Sequence, residues 1–245
     1  MKKFFLPLIA LLLIGTSSIK AQNLQVHYDF GEKRKLTTAT LEMFKPDKYG
    51  STFFFVDMDF GGNKEDGRID GMNLAYWEIA RSLKWNENQK FEPRVEFNGG
   101  MGRGDGFSYK INNAWLVGGQ YTLNNADFSK VLTLQANAKY ISDGKIDNGE
   151  TKDMTSYQFT AVWALHFFER KISVTGFADF WREDHGVVDK DGNWSTSKYV
   201  FLTEPQIWYN TCDQFSIGGE LEMSNDFGTN KGFMINPTLA VKWTF

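Results

Sequence analysis

The chain has 245 residues, 42% of them hydrophobic and 16% aromatic, with 23 glycines, a single cysteine and a formal charge of −3. That acidic balance, with no basic patch, argues against a nucleic-acid polymer as partner, and one cysteine excludes an internal disulfide. Beyond the first residues no stretch approaches the 18 apolar positions of a membrane helix, an exclusion that leaves β-barrels untouched because their strands are half polar.

Residues 1–21 read as a secretory signal peptide: Lys2 and Lys3 form the charged start, Phe4 to Ile14 the apolar run, and Gly15 to Ala21 the small-residue exit, with cleavage expected after Ala21. Cys212 lies far from that site, which excludes a lipid anchor there. From Gln22 to Phe245 a single domain is expected, built from twelve successive segments of period-2 alternation. The apolar faces begin with Leu24, Val26, Tyr28, Phe30, then Ala39, Leu41, Met43, then Phe54, Val56, Met58, Phe60, then Ala75, Trp77, Ile79, Leu83. The fifth to eighth segments carry Val95 and Phe97, Trp115 and Val117, Leu132 and Leu134, and Phe159 and Ala161. The next three carry Val174 and Phe180, a run from Tyr199 to Tyr209, and Ile217 and Leu221. The last segment puts Phe233, Ile235, Pro237, Leu239, Val241, Trp243 and Phe245 on one face.

Only Arg81 places a charge on an apolar face, as a hydrocarbon contact demands, since Arg or Lys at the bilayer midplane costs ~2–4 kcal/mol. Alternation alone would also suit a secreted β-sandwich. The connections separate the two readings. Tight turns are expected near residues 46–48, 86–90, 124–129, 169–171 and 211–214, and long Gly/Asp-rich loops at 61–71, 99–109, 142–154, 182–197 and 224–232. Tight turns on one side and long loops on the other are the pattern of an all-β, transmembrane, antiparallel up-and-down barrel of about 12 strands in the outer membrane of a Gram-negative cell. The alternating end on Phe245 resembles the signal read by the outer-membrane assembly machinery, which is expected as a partner together with outer-membrane lipid and lipopolysaccharide.

Twelve strands close with a backbone radius of about 12 Å and leave a lumen roughly 10 Å across. Parity turns Glu42, Phe53, Phe55, Asp57, Asp59, Glu78, Arg94 and Glu96 inward, followed by Asp179, Trp181 and Glu204. Carboxylates dominate this set, which should repel anions and favour cations or neutral hydrogen-bonding solutes. Aromatic rings beside carboxylates can stack a planar base while accepting bonds from sugar hydroxyls. The same groups could instead form an ionic network bracing a plugged barrel, and Asp57 with Asp59 could hold a divalent cation at the loop edge.

Thr40-Leu41-Glu42, Phe44-Lys45, Phe53-Phe54-Phe55-Val56-Asp57 and Trp77-Glu78-Ile79-Ala80-Arg81-Ser82 resemble the opening strands of the nucleoside-specific channel-forming (Tsx-like) barrels. The resemblance covers roughly residues 36–96, and implies a monomeric, narrow channel that binds nucleosides through aromatic and charged wall residues.

An enzyme is not expected. His27 and His166 have inward parity and His185 falls in the longest expected loop, so none shares the outer face with a serine as a barrel lipid hydrolase would need. No spacing suggests a cofactor or a catalytic metal, and Gly99-Gly100-Met101-Gly102-Arg103-Gly104 precedes a strand and not the helix a phosphate loop requires. Two functions stay open: a channel for small polar solutes, nucleosides among them, and a plugged structural or surface-binding barrel without transport.

Overall fold

The computed structural model describes residues 22–32, 34–62, 64, 67–147 and 150–245, so the expected signal peptide lies outside the described residues. In chain order the strands are β1 (Gln22–Asp29), β2 (Thr37–Asp47), β3 (Gly50–Phe60), β4 (Met72–Leu83), β5 (Phe91–Gly104), β6 (Phe107–Asn124) and β7 (Lys130–Asp147). They continue with β8 (Glu150–Phe167), β9 (Ile172–Val188), β10 (Trp194–Thr203), β11 (Gln206–Asn210), β12 (Phe215–Asn225) and β13 (Phe233–Thr244). The ladders are antiparallel, and β13 pairs with both β12 and β1, which closes the sheet into a barrel. Closure gives the strand N–H and C=O groups partners without water, the condition for standing in hydrocarbon.

β10 and β11 are two halves of one wall strand, since each pairs with β9 on one side and β12 on the other. The barrel is therefore twelve-stranded, with its tenth strand interrupted at Glu204-Pro205, where continuous alternation from Tyr199 to Tyr209 was expected. Proline has no N–H for the ladder. Gly176 on β9 accommodates the break: at φ +150° it has no Cβ, and one there would stand 2.5 Å from the Glu204 carbonyl oxygen. The backbone N–H of Leu221 then donates to the Pro205 carbonyl at 3.0 Å.

The face assignment follows the alternation. On β1, Gln25, His27 and Asp29 are buried while Leu24, Val26 and Tyr28 are exposed. The same parity turns Leu134, Phe159, Ile217 and Leu239 outward and Asn137, Gln158, Ser216 and Asn236 inward. Arg81 does face outward, at the turn end of β4, where its guanidinium forks onto Asp47 at 2.7 and 2.8 Å and donates to Thr52 at 2.9 Å. Tyr49, Trp85, Phe128 and Phe168 stand exposed in or beside the tight turns, as aromatic anchors do at a membrane interface. An outward apolar band on a closed barrel with a polar interior places the chain in the outer membrane.

Three of the expected long loops are largely strand. Residues 99–104 continue β5, residues 142–147 continue β7, and β9 runs through His185 to Val188. The reason is energetic: a two-residue turn at Asp105-Gly106 lets both arms of the hairpin keep their ladder bonds, and the glycines expected to form a loop sit in ordinary extended backbone. Gly102 and Gly104 are then the spaces into which the rings of Tyr109 and Phe107 lie, since a Cβ at either would meet those rings at 2.1 and 2.4 Å. The described residues of 61–71 and residues 226–232 remain outside the strands, and the five tight turns fall where expected. β5 to β9 span 14 to 18 residues, against 8 to 12 for β1 to β4, so one side of the barrel rises as a tall wall at the loop end.

Candidate functional site: an acidic and aromatic lumen

The inner face of β2 to β4 carries a strip of acidic and aromatic side chains. Thr38, Thr40, Glu42, Phe53, Phe55, Asp57, Asp59 and Glu78 are all half-buried, whereas Arg94, Glu96, Leu116, Asn137 and Lys139 on β5 to β7 are buried. On the remaining side Trp208, Glu222 and Asn236 are buried too. Asp179, Glu204, Gln206 and Glu220 on the other walls are half-buried, as the strip is.

Along that strip each carboxylate is oriented by a cross-strand or same-strand donor. The hydroxyl of Thr38 donates to Asp59 at 2.7 Å and that of Thr40 to Asp57 at 2.5 Å; Asn23 donates to Glu42 at 2.9 Å; the Tyr76 hydroxyl donates to Glu78 at 2.6 Å. Phe55 stands between Phe53 and Tyr76, its ring centroid 5.8 Å from each. Tyr76 shares the parity of Glu78 and belongs to the site, although it was absent from the expected set; parity alone would have supplied it.

The cluster expected from Glu42, Asp57, Asp59, Glu78, Arg94 and Glu96 is divided between two neighbourhoods. Arg94 donates to Glu96 at 2.5 Å, and Glu78 is the electrostatic neighbour of both and of Asp179 across the lumen. Asp179 accepts from the Thr160 hydroxyl. Asp57 instead interacts with Asp59, Glu42 and, from the far wall, Glu220. Glu204, beside the proline break, faces Glu220, Glu222, Asp57 and Arg34. Like charges from opposite walls thus share one narrow space, which raises the value of any cation that enters it.

Trp181 has a different role from a lining aromatic. Its indole N–H donates to Glu183 at 2.9 Å, Lys139 lies 4.6 Å from its ring centroid, and it packs with Val200, Leu202, Phe177 and Phe227 in an apolar cluster. Phe227 comes from the loop at 226–232 and meets the Trp181 ring edge to face at 6.1 Å. That loop is held by backbone bonds to Val188, donated by Val188 to Thr229 at 2.8 Å and by Lys231 to Val188 at 3.0 Å. Asp226 is fixed from two sides, its carboxylate accepting from Ser197 and its carbonyl contacting His185, each at 2.7 Å. His185 therefore sits in β9 as a structural tie and not in a loop. Loop residues such as Phe227 carry no periodic signal, so the sequence offered no means of finding them.

Among the described residues, no group of three or more His, Cys, Asp or Glu is placed to hold a metal ion. Asp57 and Asp59 are engaged by the two threonines instead.

Comparison with known proteins adds a family and a fold. A family model described as a domain of unknown function (DUF5020) matches residues 21–245. The chain belongs to the DUF5020 family. No curated protein matches this DUF5020 chain. Among solved structures, the NanC porin matches with a TM-score of 0.60 and 8% identity, over 92% of this chain and 100% of that one. The KdgM porin in complex with disordered oligogalacturonate matches at 0.49 and 9%, over 92% and 99%, and the transport unit of the autotransporter AIDA-I from Escherichia coli at 0.41 and 14%, over 96% and 94%. The likeness to the NanC porin shows that this DUF5020 member has a porin-like barrel fold.

Proposed function

We propose that the chain is an outer-membrane channel for small polar solutes, with an acidic lumen that favours cations and neutral hydroxyl-bearing molecules. The observation that carries this reading is the half-buried strip of carboxylates and aromatic rings on the inner face of β2 to β4. Nucleosides fit the strip best: Phe53, Phe55 and Tyr76 offer π-faces to a base, while Asp57 and Glu78 offer acceptors to ribose hydroxyls. The resemblance of residues 36–96 to nucleoside-specific channels points the same way, and the name of the NanC porin supports a channel in general.

Planar-bilayer recordings test the proposal. Neutralising Glu42, Asp57 and Glu78 together (E42Q, D57N, E78Q) is expected to weaken cation preference, because three wall charges in a lumen roughly 10 Å across lie about one Debye length or less from any passing ion. Phe55→Ala is expected to act differently, reducing block of the current by nucleosides while leaving the reversal potential near that of wild type. Stacking contributes roughly 1–3 kcal/mol per base and carries no charge. A wild-type barrel with no conductance and no nucleoside binding would sink the channel reading.

One feature favours a second reading, a barrel closed to transport. Phe227 folds inward onto Trp181, Val200 and Leu202, and with Leu116, Ala114 and Ile141 it makes part of the upper interior apolar where a polar wall was expected. In that reading the loop end contacts lipopolysaccharide or a surface partner, and recordings would show no current in any variant of the strip.

A further inference from the structure

Between β1 and β2, Gly31 and Arg34 turn back onto the inside of the barrel. The N–H of Gly31 donates to the Asp29 carboxylate at 2.6 Å, and the backbone lies so close to the wall that a Cβ at Gly31 would stand 2.3 Å from the Asn236 side-chain oxygen. Arg34 closes the turn, donating its N–H to the Gly31 carbonyl at 3.0 Å, and from there its side chain reaches the lumen. Its Nη1 donates to Asp29 Oδ2 at 2.9 Å and to Glu222 Oε2 at 2.7 Å. Asp29 and Glu222 are both buried, and Glu222 is held from behind by the Asn236 amide at 2.9 Å. Asp59 and Glu204 lie within electrostatic range of the same guanidinium. Gly62 leans on this turn, since a Cβ there would stand 3.1 Å from the Arg34 carbonyl oxygen.

A guanidinium carried by the chain thus sits at the loop end of the acidic lumen, in a cage of carboxylates contributed by β1 and β12. One nitrogen of the guanidinium is shared between two carboxylates, charge-assisted bonds that another N–H cation could make, and while Arg34 is in the cage an entering cation of the same kind finds it filled. We propose that Arg34 sets the selectivity of the extracellular mouth, acting as a tethered counter-ion in a site that otherwise binds guanidinium or ammonium groups. The transport consequence rests on the channel reading; the occupancy of the cage does not.

Arg34→Ala empties the cage, and Arg34→Lys keeps a charge in it. In bilayers, Arg34→Ala is expected to raise the cation-over-anion permeability ratio about threefold, the scale of one unit charge acting at several ångströms in a watery pore. It should also become sensitive to block by millimolar guanidinium, to which wild type and Arg34→Lys are indifferent. A conducting Arg34→Ala barrel with the wild-type reversal potential and no guanidinium block would overturn the assignment while leaving the channel standing. If no variant conducts, the channel reading fails, and calorimetric titration of guanidinium into the detergent-folded barrel decides the cage: uptake by Arg34→Ala alone supports it, and equal behaviour of the two proteins overturns it. Should Arg34→Ala not fold, as judged by heat-modifiable gel mobility, Arg34→Gln keeps an amide donor to Asp29 and is read in the same way.

Discussion

Deleting residues 243–245 is expected to leave the chain in the periplasm, unassembled. β13 is the seam of the barrel: Trp243 pairs with Leu24 on β1 and with Phe215 on β12, and its ring lies 6.5 Å from that of Phe215. Phe245 extends the seam, its N–H donating to the Gln22 carbonyl at 3.0 Å. Without these residues the starts of β1 and β12 face the bilayer edge with unpaired backbone groups, each costing several kcal/mol in hydrocarbon. We further propose that the same aromatic end is read by the assembly machinery, in which case Phe245→Ala alone, which keeps the backbone ladder, should already slow insertion. Membrane fractionation and heat-modifiable gel mobility measure both. Normal insertion of the truncated chain would remove the seam argument, and normal insertion of Phe245→Ala would remove the signal.

The barrel was legible in the sequence because its main signal is local. Whether Leu24 or Gln25 faces lipid is decided by the two-residue period of a strand, and the same rule placed Glu42, Phe53, Phe55, Asp57, Asp59 and Glu78 on the inner face where they stand. Where a strand ends is not decided that way. Residues 99–104 are rich in glycine and were expected to loop, yet pairing with β6 holds them extended, since an antiparallel partner is available and glycine tolerates the ladder. The proline break at Glu204-Pro205 was hidden for a related reason: apolar residues on either side keep their parity across it.

The contacts that shape the lumen's mouth depend on distance in sequence. Arg34 and Glu222 are 188 positions apart and meet only because β12, β13 and β1 are adjacent in the closed barrel. Nothing in the local pattern around Arg34 marks it as inward, and Phe227 is in the same position with respect to Trp181. The division of the expected acidic cluster has the same origin, since Asp57 and Glu78 find their partners on β12 and β9 respectively, across the lumen and not along the wall.

The face assignment itself yields the sharpest contrast between neighbouring residues. Leu134 is the fifth of the 18 residues of β7, counted from the tight-turn end, and is 46% exposed on the outer face, opposite Ala161 on β8 and Tyr121 on β6. Gln135, the next residue, points into the lumen, level with Gln120 and Thr160. Leu134→Arg is expected to cost ~2–4 kcal/mol in a lipid bilayer, because a guanidinium at that depth has no route to water shorter than half the hydrocarbon thickness. Gln135→Arg should cost far less, since it enters the lumen beside Glu92 and Asp179, the carboxylates bonded by its cross-strand neighbours Gln120 and Thr160, which favour an added cation. Urea titration of the barrel folded into vesicles measures both. In detergent, where the outer face meets a thinner and more adaptable apolar layer, the penalty at Leu134 should shrink while the behaviour at Gln135 stays as it was. Equal stability of the two variants in vesicles would mean that the two faces of β7 do not see lipid and lumen, and the outer-membrane barrel reading would fall with that result.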